Sequence, residues 1–281
     1  MSAMTTRLRL GAIPPAPPSP SPGSSAGRGP AGSPVVLFLP AHDEEDAVAS
    51  VLARVPSSVA GHPVVSLVID DGSRDQTATR ARAAGADVVA LGRHVGLGAA
   101  VRRGLAEARA RGAAAVAFCD ADGEYAPEEL ERIVAPILTD RADYVVGSRF
   151  RGHIERMRWR RRLGNRVLTH ALAWAARHPI SDGQSGYRAL SPEAAAEAEI
   201  VHDFNYAQVL TLDLLAKGFR YAEVPITYRF RETGRSFVRL LPYLRHVVPA
   251  VLRELDSPAV RDLPITEPSL TAEALTTEGV Q

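Results

Sequence analysis

Apolar residues gather in five short runs along the first half of the chain, and each run gives way to polar or acidic residues: Val35–Leu39, Val64–Ile69, Asp87–Leu91, Ala114–Cys119 and Ala142–Val146. Within the runs consecutive positions are apolar, as in strands covered on both faces, where a half-exposed strand would alternate. Between them the period lengthens and predicts helices over about 43–54, 75–84, 99–111 and 127–138. Strands alternating with helices predict an α/β fold, a mostly parallel sheet with helices on both faces in a single domain over 35–235. Ligands of such sheets bind beyond the carboxyl ends of the strands. Pro40–Glu44, Asp70–Ser73 and Asp120–Glu124 all follow strand ends, so one crevice should collect them.

Past Val146 the pattern changes. Eight arginines fall between 149 and 166 (Arg149, Arg151, Arg156, Arg158, Arg160, Arg161, Arg162, Arg166), opposed by Glu155 alone. Such a run is either a solvated helix face or a basic wall for an anionic acceptor or a lipid surface. A helix to about Arg177, a glycine-bearing loop Asp182–Arg188, a helix near 204–217 and a strand pair, Tyr221–Val224 and Ile226–Phe230, complete the expected domain. Phe237, Leu240, Leu241, Leu244, Val247, Val248, Val251 and Leu255 recur at helical spacing among Arg239, Arg245 and Arg253, which predicts an amphipathic helix over 236–255. That helix packs on the domain or lies in a bilayer interface.

Composition marks the ends of the folded unit. Residues 1–34 carry eight prolines and no acid, and 256–281 are rich in Pro, Thr and Glu. Neither stretch holds enough apolar surface to offset chain entropy, so both are expected to be disordered tails. A net charge of +1 gives no electrostatic reason to expect nucleic acid as a partner. Cys119 is the only cysteine, which fits a reducing compartment, and no apolar stretch reaches membrane-spanning length. The expectation is a cytoplasmic protein whose contact with a membrane, if it has one, is peripheral.

The chemistry of the chain centres on Asp120, Asp122 and Glu124, where a buried strand surfaces. Hard divalent cations take oxygen ligands, and Mg²⁺ shares one or two carboxylates with substrate phosphates. Alone, an Asp-x-Asp triplet is more often a polar loop. Likewise Asp71-Gly72-Ser73 on its own is a tight turn and Asp75 a helix cap. Gly96-Leu97-Gly98 lacks the third glycine of a dinucleotide fingerprint, since Val101 stands there. Close approach of backbone to a neighbouring strand or phosphate is the expected role of those glycines. No Walker A loop is present.

Taken in order, Pro40-Ala-His-Asp-Glu-Glu45, Ile69-Asp-Asp-Gly-Ser-Arg-Asp-Gln-Thr77, Asp120-Ala-Asp122, Val146-Gly-Ser-Arg149, Asp182-Gly-Gln-Ser-Gly-Tyr-Arg188 and Glu223-Val-Pro-Ile226 resemble glycosyltransferase family 2, and within it the dolichyl- or polyprenyl-phosphate sugar synthases. The resemblance implies a GT-A fold, Rossmann-like in its sheet, a GDP- or UDP-hexose donor and a divalent metal, Mg²⁺ or Mn²⁺. By position it implies that Pro40, His42, Glu44, Asp70 and Asp71 line the nucleoside pocket, with Asp120 on the donor. Asp120, Asp122 and Glu124 would handle metal and diphosphate, and Arg149, Arg162 and Arg188 would face an acceptor phosphate. Three departures stand out: His42 where Tyr is usual, Leu97 where Lys is common, and Phe237 after Ser236 where many members have Lys.

The implied reaction is transfer of a hexose, with inversion, to a polyprenyl phosphate, in which Asp122 and Arg149 act on the reacting diphosphate. If the acceptor is a hydroxyl, a carboxylate must take its proton, and Asp182 is the candidate base. A soluble hydroxyl acceptor is therefore the main rival. A non-catalytic sugar-nucleotide module is disfavoured because all three carboxylates are present, and a nucleotidyltransferase because Pro40–Glu45 is acidic where a basic phosphate loop is needed.

Overall fold

The computed structural model describes residues 32–229, apart from Arg158, His202, Phe204 and Asn205. The expected helix over 236–255, the tail over 256–281 and nearly all of the tail over 1–34 lie outside the described residues. Among the described residues eight strands form one sheet: β1 (Val35–Ala41), β2 (Ser58–Val59), β3 (His62–Asp70), β4 (Asp87–Ala90), β5 (Ala115–Phe118), β6 (Tyr144–Ile154), β7 (Arg188–Leu190) and β8 (Tyr221–Tyr228). The order across the sheet is β4-β3-β1-β5-β7-β6-β8, with β2 added antiparallel at the start of β3. Apart from β2 with β3, pairings are parallel except those that β7 makes with β5 and β6.

The continuous apolar runs are explained by the layers on either side. Along β1, Val35, Leu37 and Leu39 enter a core shared with α1 (Val48–Leu52) and α4 (Leu130–Leu138), while Val36 and Phe38 point the other way, toward α3 (Leu97–Ala110), α6 (Pro192–Glu197) and α7 (Ala207–Ala216). α2 (Thr77–Ala83) covers the first face beside α1. Phe38 stacks on Phe118 at 4.9 Å, and Gly104 of α3 lies so near that a Cβ there would sit 2.4 Å from the Phe38 ring. α5 (Trp159–Ala176) packs outside this sandwich through Leu172, Ala175 and Ala176 against Leu212 and Leu215 of α7.

Four expectations need correction. The helix expected over 43–54 shrinks to α1, because the backbone amides of Asp43, Glu44 and Glu45 donate across to Ser73 Oγ, Thr77 Oγ1 and Asp75 Oδ2 respectively instead of starting a helix. β6 runs on past Val146 to Ile154, taking in Arg149 and Arg151, so the arginine run is divided between a strand and α5. The strand pair near the end is one strand, β8; Pro225 does not interrupt it, because among the described residues β8 is an edge strand whose open side needs no donor. α6 was unexpected, although Ser191-Pro192-Glu193 spells its start: Ser191 Oγ accepts from the Ala194 amide and Pro192 takes the first turn.

Candidate active site

Parallel strands β4, β3, β1 and β5 deliver Leu91, Asp70, Ala41 and Cys119 to one edge of the sheet, with Ala41 beside Asp70 and Asp70 beside Ala90. β7 runs the opposite way, so the loop that precedes it, 181–187, reaches the same edge. That reversal places the Asp182–Arg188 stretch beside Asp120. Gly186 marks the contact: a Cβ there would lie 2.7 Å from Asp120 Oδ2, and its amide donates to the Tyr125 hydroxyl at 2.6 Å.

On the β1–β3 side, Asp71 is the organiser. It is buried, its carboxylate accepts from the amides of Val95 (2.7 Å) and Gly96 (2.9 Å), and His94 Nδ1 lies 2.9 Å away. His42 Nδ1 donates to the Asp71 carbonyl at 2.8 Å, and its ring stacks on His94 at 4.1 Å. Asp70 is buried and accepts from the Ser73 amide, which closes the turn at Gly72. Gly72 has φ +68° and lies under the Arg93–His94 backbone, 2.3 Å from where its Cβ would be. Pro40 is buried in β1, and Glu44, half-buried, caps the first turn toward α1 through its carbonyl. Pro40, His42, Glu44, Asp70 and Asp71 are thus neighbours at one edge.

On the β5 side, Asp120 and Asp122 are half-buried, and the Gly123 turn, φ +80°, is closed by the Glu124 amide donating to Asp122 Oδ1 at 3.0 Å. Burial pushes the Asp120 carboxyl up to about 7, reinforced by the charges of Asp122 and Glu124 and only partly relieved by Arg161 and Arg149. The crevice therefore holds more negative charge than its arginines neutralise, the condition a divalent cation relieves. Glu124 does not complete a protein cage for one. Its carboxylate is buried and clamped at both oxygens by Arg161 of α5 (2.8 and 3.0 Å), and among the described residues no three His, Cys, Asp or Glu side chains gather around one ion position. Two carboxylates with the remaining sphere left to phosphate oxygens still suit Mg²⁺ or Mn²⁺.

The three arginines expected to face an acceptor phosphate lie in different surroundings. Arg149 is 1% exposed; its guanidinium makes a two-toothed pair with Asp182, which is 0% exposed, at 2.7 and 2.8 Å. Burial opposes its charge, but Tyr125 and Asp182 outweigh that and hold its pKa above the usual value. Asp182 also accepts from the amides of Arg149 and Gln184. Arg188 is 0% exposed and is spent on the carbonyls of Gly183, Ser185 and Ala207 and the hydroxyls of Tyr144 and Thr211. Arg162 alone is exposed. Arg149 and Arg188 thus build the site's floor, and as placed neither presents a group to a bound molecule.

Sequence reasoning left several participants without a role. Arg161 was one cation among eight, and nothing in the chain singles it out before Glu124 is seen beside it. Tyr125 packs edge-on against Tyr187 and Tyr228, and Glu223 gathers the Ser181 and Asp182 amides and the Tyr221 hydroxyl, fixing the loop that carries Asp182. Glu223 opens the Glu223-Val-Pro-Ile226 stretch. The glycines at 96 and 98 do serve close approach, but to backbone: the Asp203 carbonyl accepts from the Gly98 amide at 2.7 Å.

The sequence profile of Glycosyl transferase family 2 matches residues 36–197. The chain belongs to glycosyltransferase family 2. Among curated relatives, the polyprenol monophosphomannose synthase of Mycolicibacterium smegmatis is 30% identical over 218 residues, covering 72% of this chain and 79% of that one. The dolichol-phosphate mannosyltransferase of Pyrococcus furiosus is 25% identical over 224 residues, covering 76% and 62%. Among solved structures, glucosyl-3-phosphoglycerate synthase from Mycobacterium tuberculosis, in complex with Mn²⁺, UDP and glucosyl-3-phosphoglycerate, is 26% identical with a TM-score of 0.64, over 81% of this chain and 82% of that one. The family 2 chain is accordingly a glycosyltransferase of GT-A fold, as its motifs implied.

Proposed function

We propose that this family 2 glycosyltransferase moves a hexose from a nucleoside diphosphate sugar, GDP- or UDP-linked, to a polyprenyl phosphate with inversion. Pro40, His42, Glu44, Asp70 and Asp71 border the nucleoside, and the stacked His42–His94 pair offers it an aromatic surface. Asp120 and Asp122 would hold Mg²⁺ or Mn²⁺ together with the diphosphate, and the ion would supply charge neutralisation for that leaving group. Glu124 acts through Arg161, holding its guanidinium where its charge reaches Asp120. Arg162, exposed on the next position of α5, would be the cation that meets the acceptor phosphate. In the reaction the bond from the anomeric carbon to the diphosphate breaks, its electrons leaving on phosphate, and an acceptor phosphate oxygen forms the new bond.

The observation that carries the choice of acceptor is the state of Asp182. A hydroxyl acceptor needs a base, and the carboxylate implied for that role is fully buried with both oxygens bound by Arg149. A phosphate oxygen is already anionic and needs none. The names of the mycobacterial and archaeal relatives agree with this reading. The likeness to glucosyl-3-phosphoglycerate synthase favours a second one, a soluble phosphorylated acceptor that reacts through a hydroxyl.

Radiolabelled nucleotide sugars incubated with Mg²⁺ or Mn²⁺, with and without polyprenyl phosphate, separate the two. Label in the organic phase that needs lipid and metal and vanishes with a chelator is the expected result. Label confined to water-soluble product would overturn the lipid reading and leave the donor site standing.

A further inference from the structure

α5 has two unlike faces. Arg161, Thr169, Leu172, Ala175 and Ala176 turn inward, Arg161 to Glu124 and the others to the helix's packing partners. The opposite face shows Trp159 (68% exposed), Leu163 (56%), Val167 (60%) and Trp174 (80%). At about 100° per residue these four fall within a sector of roughly 80°. Residues 156–181 contain seven arginines and neither Asp nor Glu, and Arg162, Arg166 and Arg177 are exposed around that apolar stripe. Large apolar side chains grouped on a surface mark an interaction site, and a basic rim around them selects its chemistry.

We propose that this face of α5 docks on an anionic lipid surface, lying in the interfacial plane with Trp159 and Trp174 at headgroup depth and the arginines among lipid phosphates. Helices of this composition bind interfaces through buried apolar area plus attraction to anionic lipid, and Trp favours the boundary region. Two apolar candidates for covering the stripe are cationic themselves. A second copy of the chain would set the arginines of one α5 against those of the other, and the segment 237–255 carries Arg239, Arg245 and Arg253. The docking also has a use, and here it rests on the lipid-acceptor reading: the turn that exposes Trp159 and Leu163 carries Arg161 on its far side, so the Asp120–Asp122 crevice stands directly behind the docked helix.

Trp159 and Trp174 are the chain's two tryptophans, so intrinsic emission reports on this face alone. The full chain is titrated with phosphatidylcholine vesicles and with vesicles of phosphatidylcholine mixed with phosphatidylglycerol, neither containing polyprenyl phosphate or sugar nucleotide. A blue shift and co-flotation with the anionic vesicles only, weakened by salt, and reduced about tenfold or more in partitioning by Leu163→Glu with Val167→Glu, is the expected result. Both substituted positions are solvent-facing, and far-UV circular dichroism checks that the variant folds. Unchanged emission with both vesicles would overturn the proposal. So would emission already blue in buffer, which reddens on dilution if a second copy covers the face and stays blue if a segment of the same chain does. Because no acceptor or donor is present, docking can succeed where sugar transfer fails, and the reverse with detergent-dispersed acceptor.

Discussion

Replacing Asp182 by Asn tests whether this carboxylate is a base or a structural counter-ion. The substitution keeps shape and one acceptor oxygen, but it turns an amide NH₂ toward the buried Arg149 guanidinium and removes the charge that lies against it at hydrogen-bond distance. Breaking a buried ion pair by neutralising one partner costs about 3–5 kcal/mol, because the remaining charge stays desolvated. Domain stability is on the order of 5–15 kcal/mol, so roughly a fifth or more of it is at stake. With a urea slope of about 2 kcal/mol per molar, the unfolding midpoint should fall by roughly 1.5–2.5 M. Far-UV circular dichroism in urea measures that directly. Neutralising both partners, Arg149→Met with Asp182→Leu, should recover much of the loss, since the pair is replaced by apolar volume and no charge is stranded. An Asp182→Asn variant as stable as the parent, able to bind donor yet unable to transfer sugar, would refute this reasoning and return Asp182 to the role of base.

Asp122→Asn should abolish metal-dependent transfer while leaving the melting temperature unchanged or higher, because it removes a charge that repels Asp120 and keeps the oxygen that accepts from the Glu124 amide; a marked fall in melting temperature would contradict it. Gly186→Ala should fold but lose about tenfold or more in Mn²⁺ affinity, read by calorimetry, since its Cβ would meet Asp120 Oδ2 at 2.7 Å and must displace that carboxylate. Arg188→Met should cost about 3–5 kcal/mol in denaturant unfolding, as a fully buried guanidinium with five hydrogen-bonding partners is lost. Its folded fraction should keep the parent's KM for acceptor; a raised KM at normal stability would show Arg188 reaching the acceptor after all. Gly104→Ala should destabilise by about 1–3 kcal/mol with activity per folded molecule unchanged, because the added methyl collides with the Phe38 ring.

The alternating layers were legible because burial on both faces forces consecutive apolar residues, and a strand that ends at a crevice must switch abruptly to polar ones. Val35–Leu39 and Ala114–Cys119 show both signals, and β1 and β5 stand where the signals put them. What the pattern could not show is pairing. Arg149, Arg161, Arg162 and Arg188 read alike as cations near an expected phosphate, yet two are locked inside the fold, one is bound to Glu124 and one is exposed. The difference is set by partners distant in sequence: Asp182 lies 33 residues from Arg149, and Glu124 lies 37 from Arg161. Local composition carries no term for such contacts. The same holds for β7, whose reversal brings the Asp182–Arg188 loop to the crevice although its sequence reads only as polar and glycine-bearing.

This distinction bears on how a shared motif should be used. A motif residue can face the substrate or hold the residue that does, and both roles fix its identity. Asp71 spends its carboxylate on the amides of Val95 and Gly96, Glu223 on the amides of Ser181 and Asp182, and Asp182 on Arg149. In each case the acid shapes a loop that borders the crevice. Asp120 and Asp122 differ in kind: burial, reinforced by the charges of Asp122 and Glu124, raises the Asp120 carboxyl toward neutrality, a cost that Arg161 and Arg149 offset only in part. On the proposed function, the positive charge that this edge of the sheet lacks would arrive with the substrate, as a divalent cation bound to the donor diphosphate.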